Sequence, residues 1–135
     1  MSLSASSNTL EDAGKLMLRV TLGVLILFHG IDKIVHGIGP IQGMLTGMGL
    51  PAVLAYGVYL GEVLGPVLLV SGFHARIGAG LIAINMVFAI LLAHTGDLLS
   101  LSPHGGWRLE LQGMFLFTAL SLMLMGPGRF SLKPH

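Results

Sequence analysis

The run from Leu16 to Val35, LMLRVTLGVLILFHGIDKIV, is long and apolar enough to cross a bilayer, yet it carries Arg19, His29, Asp32 and Lys33. An α-helix brings residues three and four apart onto one face, so Arg19, Leu22, Ile26, His29 and Lys33 fall on a single stripe that is polar at both ends. A charge facing lipid costs about 2.5–3.5 kcal/mol at the helix centre on insertion scales. The stripe is therefore expected to face partner helices or a wet cavity.

Composition extends this reading to the whole chain. Of its 135 residues 53% are hydrophobic and only 10% charged, against about 25% charged in soluble domains. The expected fold class is an all-α membrane protein forming one domain over residues 1–135. A formal net charge of +1 and the lack of any basic run argue against a nucleic-acid partner. With no cysteine there can be no disulfide, thiolate metal site or Cys-ligated iron–sulfur cluster. Residues 1–14 contain Glu11 and Asp12 and lack a basic signal-peptide start, so the first span is expected to persist in the mature protein.

The Ser-rich segment 1–8 reads as a disordered tail. Spans are expected at about 16–35, 53–73, 77–94 and 107–125, giving a four-transmembrane-helix bundle. Between the first two, Gly and Pro break the helix while Ile41, Met44, Leu45 and Met48 keep helical spacing. This predicts a short amphipathic helix at the membrane surface. In the second span, Gly57, Gly61 and Gly65 recur every four residues, a packing pattern that serves the bundle or a homo-oligomer. Glu62 lies beside that seam, and Pro66, one turn on, removes a backbone donor, so a kink is expected there. Asn85 is the one polar residue on the third span's stripe of Gly78, Leu81, Phe88 and Leu92. Trp107, Arg108, Glu110 and Gln112 open the fourth span, and GPG at 126–128 ends it.

Lys15, Arg19, Arg76, Arg129 and Lys133 fall on the side of the termini, whereas Lys33 and Arg108 fall on the other. The positive-inside rule then places both termini in the cytoplasm. His29, Asp32, Lys33, His36, His94, Asp97, His104, Arg108 and Glu110 gather toward the external half.

Arg19 in LMLRVTLG, FHGIDK with Gly30 and Lys33, GLP at 49–51, Glu62 before a Gly-rich turn, and Glu110 before GPGRFSL together resemble the DoxX family of small bacterial membrane proteins. The resemblance covers nearly all of residues 16–132. It implies a bacterial inner-membrane location and a link to quinone-coupled oxidation, as a subunit associated with quinol oxidase, thiosulfate:quinone oxidoreductase or redox-stress complexes. Lys133 stands where the family commonly has Asp, so no role for that acid carries over.

Two readings of the polar residues compete. Arg19, Lys33, Glu62 and Glu110 could be a charge network that fastens the bundle, with Asn85 as an interhelical hydrogen-bonding residue. Alternatively they line a pocket for a quinone head group, with Lys33 or His29 donating to a carbonyl oxygen and Glu62 or Glu110 exchanging protons. His29, Lys33 and Glu110 are expected to meet in one outer-half pocket. Nothing in the chain supplies electrons, so any enzymatic role is that of an oxidoreductase subunit beside a partner. No cofactor is expected within the chain. His29 and His94 are weak candidates for haem or metal, without a ligand-spacing signature. Apart from the redox-component reading, an assembly partner of another membrane complex and a small-solute or proton pathway stand as alternatives. The apolar middle of the first span disfavours the pathway.

Overall fold

The computed structural model describes residues 2–93, 96 and 98–133. Helix α1 (Ser2–His36) is followed by the surface helix α2 (Gly39–Gly47). The second span is composite, with a 3-10 segment (Ala52–Gly57), a π turn (Leu60–Leu64) and helix α3 (Gly65–Ser71). Helices α4 (Ala75–Ala93) and α5 (Glu110–Met125) complete an all-α four-span bundle with the short helix between spans one and two.

Helix α1 starts at Ser2 rather than after a disordered tail. Residues 2–13 contain no Gly or Pro to stop the helix growing backward from the span. Among the described residues three stretches, Thr9–His36, Ala52–Ser71 and Ala75–Leu92, are long and apolar enough to cross a membrane. Helix α5 is a shorter apolar helix of 16 residues, about 24 Å at 1.5 Å per residue. The fourth span thus begins at Glu110 and not at Trp107. The Trp107 indole N–H donates to the Leu98 carbonyl at 2.8 Å, and an added Cβ on Gly113 would lie 2.7 Å from its ring. Trp107 closes the preceding loop against α5 instead of opening the helix.

The centre of the bundle is apolar, built from Leu22, Ile26, Leu69, Ile82, Met86, Phe115 and Leu122 with alanines 75, 79, 83 and 119 between them. The small residues let α4 pack directly on α3, α5 and the π turn. Outside, large apolar side chains such as Phe28, Phe88, Phe117 and Leu124 are more than half exposed. An apolar surface of that extent requires lipid around it.

At the end that holds the termini, Arg19 is fully buried. Its guanidinium donates to the Leu69 carbonyl at 3.2 Å and to the Phe130 carbonyl. The C-terminal segment is held beside it, as Leu132 and Lys133 donate from their backbone N–H groups to the carbonyls of Ser71 and Gly72 at 3.2 and 3.1 Å. Arg129 pairs with Asp12 at 2.9 Å. Arg19 is thus an anchor for the residues after GPG and has no part in a network with Lys33, Glu62 or Glu110.

Candidate functional site: a charge-ended apolar cavity

Pro66 cannot donate the backbone hydrogen bond that a regular helix would give to the Glu62 carbonyl. The chain widens there instead: Gly65 N–H reaches back five residues to the Leu60 carbonyl, closing the π turn. Single π turns often mark functional sites, and this one carries Glu62.

Bare backbone lies on both sides of the turn. A Cβ added to Gly30 would overlap the Glu62 carbonyl oxygen and lie 2.8 Å from its carbonyl carbon. A Cβ on Gly61 would lie 2.7 Å from Asn85 Cγ. These close approaches draw α1 and α4 onto the second span, bringing Lys33 and Asn85 within reach of one carboxylate. Lys33 Nζ donates to Glu62 Oε1 at 2.6 Å, and Asn85 Nδ2 donates to Oε2 at 3.0 Å. The Glu62 side chain is 6% exposed and that of Lys33 24%. The Tyr59 hydroxyl donates to the Lys33 carbonyl at 3.2 Å, pinning the end of α1.

This trio ends a cavity of about 460 Å³, within the range of about 300–1,000 Å³ that encloses small-molecule ligands. Helix α2 covers it with Ile41, Met44 and Leu45, and Leu54 and Val58 of the second span and Leu81, Phe88 and Leu92 of α4 form the remaining walls. Lys33, Glu62 and Asn85 are its polar side chains. Glu62 takes one of the ammonium's three N–H donors and one of the two on the Asn85 amide, which leaves donors on both for a further oxygen. The site can therefore bond an oxygen-bearing head group while enclosing apolar atoms.

Of the residues singled out in the sequence, Lys33, Glu62 and Asn85 come together, whereas His29, Glu110 and Arg19 do not join them. His29 is exposed, and its ring meets Phe115 edge-on at 6.2 Å between centroids. Glu110, the first residue of α5, is exposed against Gly106. The outer pocket expected from His29, Lys33 and Glu110 is replaced by one formed by Lys33, Glu62 and Asn85. His36 pairs with Asp32 at 2.9 Å on the surface, and His104 and Arg108 are exposed in the loop. His94 and Asp97 lie outside the described residues. Among the described residues no group of three or more His, Asp or Glu is placed to hold a metal.

Gly61 and Gly65 do pack: a Cβ on Gly65 would lie 3.0 Å from the Gly78 carbonyl oxygen. Gly57 does not. It faces open space and lines the cavity. Gly57 and Tyr59 are the site residues whose roles the sequence conceals, since a glycine at the same spacing as two packing glycines looks like a third.

A polytopic helical membrane protein with a lipid-compatible pocket ended by an ion pair is the class that these observations define. The chain belongs to the DoxX family, whose model matches residues 14–95, a stretch that contains Lys33, Glu62 and Asn85. It is also 31% identical over 123 residues to a Bacillus subtilis (strain 168) protein named "Putative oxidoreductase CatD", covering 91% of this chain and 87% of that one. No solved structure matches it.

Proposed function

We propose that this protein binds a quinone as an accessory component of a redox system in the bacterial inner membrane, with both termini cytoplasmic. The observation that carries the reading is the Lys33–Glu62–Asn85 cluster at the end of the apolar cavity. A buried ion pair adds little stability, because desolvating both charges offsets most of their attraction. Its placement at the wall of a cavity large enough for a ligand favours a binding role. The name of the Bacillus subtilis relative agrees with redox chemistry.

In this reading Lys33 and Asn85 donate to a quinone oxygen and the ring lies among apolar side chains. Glu62 holds Lys33 in place and relays from water one of the two protons that the ring takes up with two electrons, the second passing from water to the other ring oxygen. The electrons come from a partner redox protein. Native mass spectrometry of the gently solubilised protein tests this directly. Quinone should co-purify with the wild type and be lost from Glu62→Gln at unchanged fold; its absence from both would remove the proposal. Should Glu62→Gln unfold in parallel with losing the ligand, the cluster is a fastener and the protein an assembly partner.

A further inference from the structure

The cavity walls differ in what lies behind them. On the α1 side Lys33 is backed by the π turn and by Tyr59. Away from that turn, three lining residues, Leu54, Ile84 and Phe88, are each more than half exposed on the outer surface of the bundle. A residue that both lines a cavity and faces outward stands at its rim. These three belong to the second span and α4, so the rim lies at membrane depth and opens toward lipid. Gly57 lies within this stretch of the second span. It is exposed, it lines the cavity, and a Cβ built on it would meet nothing within 4 Å.

We infer that the gap beside Gly57 is a lateral portal, through which the ligand is taken up from the bilayer with its tail left projecting into lipid. This rests on the quinone-binding reading and narrows it. The ligand class is a single-tailed membrane amphiphile whose oxygen-bearing head points into the bundle toward Lys33 and Asn85. A cavity of about 460 Å³ encloses a head group and the first part of a tail, and a longer chain must leave through the lipid-facing wall. Gly57 therefore serves as an opening and not as a packing seam.

Gly57→Leu tests the portal because the position tolerates a side chain: there is room for it, and its backbone φ is not left-handed. The leucine would occupy the mouth of the cavity and leave Lys33, Glu62 and Asn85 untouched. Each buried methylene is worth about fourfold in affinity, so displacing two of them should weaken a tailed ligand by at least about tenfold. The experiment compares wild type, Gly57→Ala and Gly57→Leu in nanodiscs with two probes, a decyl-tailed benzoquinone and the same head group without a tail. Thermal unfolding checks that each variant is folded. The portal predicts that Gly57→Leu loses affinity for the decyl probe, keeps its affinity for the tail-less one, and that Gly57→Ala falls between. Equal affinity of wild type and Gly57→Leu for the decyl probe would overturn the portal while leaving quinone binding intact. Equal loss of both probes would also overturn it, by placing the effect at the head group. Failure of the wild type to bind either probe would instead remove the functional reading on which the portal rests.

Discussion

Removing Glu62 alone, and removing it together with Lys33, should have different consequences. In Glu62→Ala the Lys33 ammonium loses the carboxylate at 2.6 Å and the Asn85 amide loses the acceptor at 3.0 Å. Breaking a buried ion pair costs about 3–5 kcal/mol. Lys33 is 24% exposed and lies near the end of α1, so its stem can carry the charge toward the surface, which places the cost near the lower bound, about 3 kcal/mol. The stranded Asn85 donor adds about 1 kcal/mol. In Lys33→Met, Glu62→Leu both desolvation penalties vanish and only the Asn85 term, again about 1 kcal/mol, remains. The double variant should therefore be about 3 kcal/mol more stable than Glu62→Ala. Unfolding by sodium dodecyl sulfate in mixed micelles, followed by circular dichroism for wild type, both single variants and the double, completes the cycle. Single variants within about 0.5 kcal/mol of wild type, or a double variant as unstable as the sum of the singles, would refute the claim that the pair is buried and coupled.

Gly30→Ala should destabilise by about 1–2 kcal/mol. Overpacking against the Glu62 carbonyl costs about 1–3 kcal/mol and helix propensity returns up to about 1; a raised midpoint in the same titration would show that α1 and the π turn can separate freely. Arg19→Ala should cost about 3 kcal/mol or more, since two bonds from a buried guanidinium are lost. Limited proteolysis should then cut after Gly126, and a protected C-terminal segment would contradict the anchor. For topology, the chain's lack of cysteine makes single substitutions clean. Cysteine in place of Ser100 should react with an impermeant thiol reagent in intact spheroplasts and cysteine in place of Ser131 should not, the reverse pattern overturning the orientation.

How much of this was legible in the sequence depends on the length scale. Apolar runs bounded by Gly and Pro mark the four spans and the surface helix, because burial in lipid leaves few other ways to satisfy the backbone. Which stripe of α1 turns inward is less determined. A step of three residues falls about 60° short of a helical turn and a step of four about 40° beyond it. From Ile26 the path could pass through His29 or Gly30, and the structure buries Arg19, Leu22, Gly23, Ile26 and Gly30, leaving His29 on the outer surface. Glu110 was misplaced for a different reason. Its expected meeting with His29 and Lys33 needs a span that opens at Trp107 and carries Glu110 inward, whereas the loop, by bonding the indole to Leu98, moves the start of the helix to Glu110, which is exposed. Pro66 did announce an irregularity beside Glu62. That it takes the form of a π turn, aiming the carboxylate between Lys33 and Asn85, depends on tertiary packing at Gly30 and Gly61 that no local pattern encodes.

Photoaffinity labelling tests the central claim most directly. A decyl-tailed azidoquinone, photolysed with the protein in nanodiscs and mapped by peptide mass spectrometry, should label residues within 41–60 and 81–92, which hold most of the cavity's lining residues. Excess untagged quinone should abolish the label, and Lys33→Met, Glu62→Leu should remove it at unchanged fold. Labelling that does not saturate, or that falls on the His29 and Glu110 surface with the cavity peptides clean, would contradict the account.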